Sequence, residues 1–111
     1  MNRKIVYLPE AVKDMKSLAG NQRILVAKAL KKVSANPLPE AEGGYGKPLG
    51  NRNDSMLAGL LKVKLKAAGL RIVYKPIRTD TEMLIIVIGA RADDEVYDAA
   101  QKRAVKHDLK S

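Results

Sequence analysis

Two alternating runs, residues 60–66 and 70–75, constrain this chain more than any other feature. In the first, Leu61, Val63 and Leu65 fall on one side of an extended backbone and Lys62, Lys64 and Lys66 on the other. In the second, Leu70, Ile72 and Tyr74 oppose Arg71, Val73 and Lys75. A period of two is that of a half-buried strand, and residues 67–69 leave room only for a turn, so the two runs form an antiparallel pair. Residues directly opposite share a face, and a slip of one position would send one apolar set into water. The expected register sets Leu65 near Ile72 and Val63 near Tyr74. Lys66 then faces Arg71, Lys62 faces Lys75, and Lys64 lies between them. Like charges placed opposite one another are destabilising, so a cluster of this kind points to an anionic ligand.

The rest of the chain supplies a frame for that pair. Residues 5–8 read as a short opening strand, and Pro9 suits the first turn of a helix in which Val12, Met15 and Leu18 or Ala19 recur at helical spacing. Gly20 ends that helix, and Asn21 can cap a second with the apolar stripe Leu25, Val26, Ala29, Leu30 and Val33, closed by Asn36 and Pro37. Residues 37–46 and 50–55 are loops by their Pro, Gly and polar content. Residues 83–89 are apolar on both faces, as in a central strand. Asp93 or Asp94 can cap a last helix through Val96, Ala99, Ala100 and Arg103 to about His107. There is no internal repeat or domain linker, and 111 residues make one domain, 1–111. The expected class is α+β, with an N-terminal strand and helical hairpin packed on a mainly antiparallel four-stranded sheet, followed by a C-terminal helix.

Charge narrows the partners. The formal net charge is +9, a surplus that attracts phosphates, anionic membranes or an acidic protein. It is concentrated, because residues 47–78 hold Lys47, Arg52, Lys62, Lys64, Lys66, Arg71, Lys75 and Arg78 against a single acid, Asp54. The absence of cysteine removes disulfides, thiolate metal sites and thiol nucleophiles, and one histidine, His107, makes no multi-His site. The longest apolar run, 83–90, is far short of the roughly 20 residues of a membrane span, so no metal, no cofactor, no membrane and a cytoplasmic setting are expected.

The segments LLKVKLKAAGLRIVYK (60–75) and LIIVIGARADDEVYDAAQKR (84–103) resemble the second half of RelE-type toxins, of the RelE/ParE superfamily. The pattern extends over nearly the whole chain, with residues 50–56 as an insertion. The specific part is a set of five: Lys62 and Lys64 as Lys-x-Lys on a strand, Arg71 after the glycine turn, Arg91 after the central strand and Tyr97 six residues later. The resemblance implies the RelE-like microbial ribonuclease fold and the toxin role in a type II toxin-antitoxin system. It also implies metal-independent cleavage of mRNA in the ribosomal A site by 2′-OH attack, a cognate RelB-like antitoxin, and the ribosome and mRNA as partners.

That chemistry asks for a base, a cation on the phosphate and an acid at the leaving oxygen. Lacking a placed histidine or carboxylate pair, the chain must use lysine and arginine. Neighbouring like charges and partial desolvation favour a neutral amine, which makes Lys64 the candidate general base. Lys62 and Arg71 would hold the scissile phosphate, Arg91 would serve the leaving group, and Tyr97 would stack on or orient a base of the codon. Lys66, Lys75 and Arg78 would guide RNA by charge. Two alternatives stay open: a ParE-like gyrase poison, and a non-catalytic RNA- or ribosome-binding module of the same fold.

Overall fold

The computed structural model describes residues 4–49, 59–77, 82–90 and 93–109, without the side chains of 93 and 94. The elements run β1 (Lys4–Tyr7), α1 (Pro9–Lys16), α2 (Gly20–Ser34), a 3-10 turn (Glu40–Glu42), β2 (Lys47–Pro48), β3 (Leu61–Leu65), β4 (Leu70–Ile77), β5 (Glu82–Gly89) and α3 (Asp93–Lys106). The sheet order is β1-β5-β4-β3-β2. Only β1 and β5 run parallel, so the sheet is mainly antiparallel as expected. It has five strands rather than four, because the two residues of β2 add an edge beside β3. So short a strand carries no periodicity of its own.

Helix boundaries shift for local reasons. Gly20 opens α2 instead of ending α1, and the capping contact comes from Gln22, whose Oε1 accepts from the Ala19 N–H at 3.1 Å. Asn21 is thus inside the first turn rather than at the cap. On α1 the buried residue is Ala11, whereas Val12 is exposed.

The strand pair forms in a register two residues away from the expected one. Leu65 faces Leu70, Lys64 faces Arg71, Val63 faces Ile72, Lys62 faces Val73 and Leu61 faces Tyr74. A shift of two keeps every side chain on its face, so alternation alone cannot distinguish the registers. The turn decides it. Ala68 N–H donates to Leu65 O and Gly69 N–H to Lys66 O, both at 3.2 Å, and Gly69 closes the turn at φ +66°. A left-handed residue in that last position favours glycine, which fixes the turn on 66–69 and takes Lys66 out of the strand. A Cβ at Gly69 would meet nothing within 4 Å, so conformation alone selects glycine there. Gly69→Ala should therefore cost about 1–2 kcal/mol, the left-handed penalty of an L-residue, measured as a lower urea midpoint at unchanged m.

Both faces of the sheet centre are buried, through Ile72 and Tyr74 on one side and Val73 on the other. The Tyr74 hydroxyl donates to Pro37 O at 2.8 Å, which ties its face to the chain leaving α2. Burial pushes that phenol's pKa up. Tyr97 on α3 meets Lys62 on the opposite face. The two helical layers therefore lie on opposite sides of the sheet.

In β5 a bulge sets Ile85 opposite Tyr74 and Val87 opposite Val73, leaving Ile86 as the extra residue. That explains a strand apolar on both faces with Ile85 and Ile86 alike fully buried.

Helix α3 is also tied to α1 at its C-terminal end. Glu10 pairs with Lys106 at 3.1 Å and with His107 Nε2 at 2.9 Å. Its own backbone N–H, then Lys106 and His107, hold the Glu10 carboxyl at about 2 against an ordinary 4.5. Because the folded value is the lower one, this stabilisation is complete above pH 4.5 and is lost as the pH falls through about 2. Glu10→Gln should remove that part of the pH dependence, so acid titrations of stability for the two proteins should converge toward pH 2.

Candidate nucleic-acid interface

The observed register assembles a cation face from three adjacent strands. Lys64 on β3 lies opposite Arg71 on β4, and Lys47 on β2 lies opposite Lys62 on β3. Directly opposed side chains stand with Cβ atoms about 5 Å apart, a distance at which like charges repel. Two facing like-charge pairs on adjacent ladders therefore act against the sheet. Lys64 and Lys47 are exposed, whereas Lys62 and Arg71 are half-buried. Helix α3 packs over β5 and β4, and toward the β2–β3 edge Lys47 and Lys64 are exposed among the described residues.

The corrected register changes the composition of that face. Lys66 does not oppose Arg71 but projects exposed from the turn, and Lys75 does not oppose Lys62 but pairs with Leu84 of β5. Lys47 takes the place beside Lys62. It was visible in sequence as one of a run of cations, but only the two-residue strand β2 brings it to the site.

Tyr97 is 7% exposed and belongs to the hydrophobic core, while its hydroxyl accepts a hydrogen bond from the Lys62 ammonium. The Lys62 nitrogen lies 5.1 Å from the ring centroid. What Tyr97 presents to the site in this arrangement is its oxygen rather than a free ring face. Arg78 and Arg91 lie outside the described residues. The structure thus brings together Lys62, Lys64, Arg71 and Tyr97 of the expected set, and adds Lys47.

Asp14 and Arg103 also have a place that composition could not assign. Arg103 donates through Nη1 to Asp14 Oδ2 at 2.6 Å and through Nη2 to Asp14 Oδ1 at 3.2 Å, a two-pronged pair. The available signal was a charged residue on the apolar stripe of a helix, for Arg103 follows Val96 and Ala100 at helical spacing. His107 is engaged with Glu10. Among the described residues no group of three or more His, Cys, Asp or Glu could hold a metal ion, and no helix is long and apolar enough to cross a membrane.

No protein-family model matches the chain. Over 93 residues, 84% of this chain and 87% of the relative, it is 31% identical to the mRNA interferase toxin RelE of Escherichia coli strain K12. The chain belongs to the RelE toxin family. A putative RelE-like toxin protein of Escherichia coli is 28% identical over 107 residues, 93% of this chain and 98% of that one. Among solved structures, a mutant of E. coli RelE in the free state has a TM-score of 0.71 at 26% identity, covering 93% of this chain and 98% of that chain. A mutant E. coli RelE bound to a peptide of the antitoxin RelBc has a TM-score of 0.66 at 26% identity, covering 90% and 95%. The α+β architecture of this RelE-family chain is the one those structures share, and the Lys62, Lys64 and Arg71 face sits on its sheet.

Proposed function

We propose that this chain is the toxin of a type II toxin-antitoxin pair and acts as an endoribonuclease on messenger RNA in the ribosomal A site. The observation that carries the reading is that like charges occupy directly opposed positions on two neighbouring ladders, Lys64 opposite Arg71 and Lys47 opposite Lys62. Such a face is costly to an empty protein and complementary to a phosphate backbone. Family membership supports the same reading, since the E. coli relative is named an mRNA interferase.

In this reading the Lys64 amine takes the proton of the ribose 2′-OH. The 2′ oxygen bonds to the adjacent phosphorus, the bond from phosphorus to the 5′ oxygen breaks, and that oxygen takes a proton from solvent water. The products are a cyclic phosphate and a free 5′-OH. Lys62 and Arg71 counter the charge that develops on the phosphoryl oxygens, with Lys47 extending the same field along the β2 edge. The Tyr97 hydroxyl holds Lys62 in place, and Arg91 serves the leaving oxygen. Lys66, Lys75 and Arg78 steer RNA by charge. The steps use the chain's own cations and ask for no metal.

The partner that restrains such a toxin is a RelB-like antitoxin. An acidic segment of that protein would complement the net charge of +9, and the bound RelBc peptide on E. coli RelE supports the assignment.

Primer extension on messages after induction tests the reading. Discrete ends within codons of translated messages, carrying 5′-OH, are the expected result. A DNA-damage response with intact messages would turn the assignment to a gyrase poison. Ribosome binding without any cut would leave a non-catalytic module.

A further inference from the structure

Strand β5 outruns its neighbour. The β1–β5 ladder pairs Lys4 with Glu82 through Tyr7 with Ile85, and the last strand-like bond is Leu8 N–H to Ile85 O at 3.0 Å. Past that point Ile86 and Ile88 are buried, and where no strand of the described residues continues the ladder, buried backbone groups need partners from elsewhere. Two side chains supply them. The Asp14 carboxylate of α1 accepts the Ile88 N–H at 3.0 Å, and the Arg103 guanidinium of α3 donates to Ile86 O at 2.7 Å. The two-pronged contact between Arg103 and Asp14 joins these anchors to each other, with each side chain about a fifth exposed. One ion pair thus stands in for a strand and clamps three elements at one place.

The clamp holds α3 on β5. The same helix carries Tyr97, six residues before Arg103, and Tyr97 meets the ammonium of Lys62. A helix is stiff over that span of about 9 Å, so fixing Arg103 fixes where the Tyr97 hydroxyl stands. We propose that Asp14 and Arg103 are positioning residues for RNA cleavage, acting through Tyr97 on Lys62. The proposal rests on the ribonuclease reading given above. It concerns how the cation is aimed, and neither residue touches RNA.

The test is a cycle of variants in a translating-ribosome cleavage assay, run below the melting temperature of every variant. Arg103→Ala should lower kcat by about tenfold or more with KM for ribosomes within about threefold, the pattern of a lost transition-state interaction. Arg103→Lys, which keeps the charge but loses the fork, should recover part of that rate. In a Tyr97→Ala background the same Arg103→Ala change should cost less than about threefold, because residues acting as a unit do not add. Losses that multiply in the double variant, or a folded Arg103→Ala protein of full activity, would overturn the proposal.

A second readout does not depend on cleavage. With no Phe or Trp, the ring signals come from Tyr7, Tyr45, Tyr74, Tyr97 and the one imidazole of His107, and Arg103→Ala should shift those of Tyr97 while leaving Tyr74 in place. Unmoved Tyr97 signals would also overturn the clamp. A wild-type chain that cuts no message while the Tyr97 shift is present would fail the ribonuclease reading and leave the clamp geometry standing.

Discussion

Lys64→Ala is expected to lower message cleavage by about 100- to 10,000-fold, the range for removing a positioned general base, with no loss of stability. Lys64 is exposed on β3 and stands opposite Arg71, so truncation leaves no cavity and removes one of two like charges at opposed positions. The expected melting temperature is therefore equal to or slightly above that of the parent. Lys64→Arg sharpens the result, because arginine keeps the charge but does not release its proton. If proton transfer is the role, the arginine protein stays inactive. Recovery of cleavage with arginine would reduce Lys64 to an electrostatic contact, and full toxicity of the folded alanine protein would remove it from the mechanism.

The largest expected effect on stability falls on Tyr74. It is the largest fully buried side chain among the described residues, it lies opposite Leu61 and Ile85, and its hydroxyl reaches Pro37 O. Tyr74→Ala should cost about 3–5 kcal/mol, as truncating a core aromatic does. Tyr74→Phe keeps the ring and strands the Pro37 carbonyl, for about 1–3 kcal/mol. Urea unfolding of both proteins separates the packing of the ring from the hydrogen bond. Gly46 packs so close that a Cβ there would stand 2.3 Å from the Tyr74 oxygen. The loop after α2 is thus built around this residue, and the alanine protein should lose loop order along with sheet stability.

The faces of β3 and β4 were legible in the sequence because a period of two leaves no choice about which residues are buried together. Their register was not, since shifts of two conserve the pattern and only the backbone angle of Gly69 separates them. Lys64 and Arg71 therefore meet for a reason that alternation could not supply. The α1–α2 hairpin was legible from helical spacing, but its caps were not, as Gln22 serves where Asn21 was the stronger candidate by residue type. Lys47 was hidden because β2 is too short to show a period. Tyr97 illustrates a different limit, for its position in a helix next to Val96 suited both core and site, and the fold uses it for both. The resemblance to RelE-type toxins supplied Arg91 as well, a residue outside those the structure describes.

The contacts of Asp14 bear on the order in which this molecule can come together. Its partners Ile88 and Arg103 lie 74 and 89 positions later in the chain, and among the described residues β1 pairs in the sheet with β5 alone. Long-range closures of this kind are late and slow in folding. The β3–β4 hairpin can form as soon as it is made, whereas β1 must wait for β5 and the Asp14 contacts of α1 must wait for Arg103 on α3. A growing chain therefore carries the cations of β3 and β4 before the clamp that aims them can close.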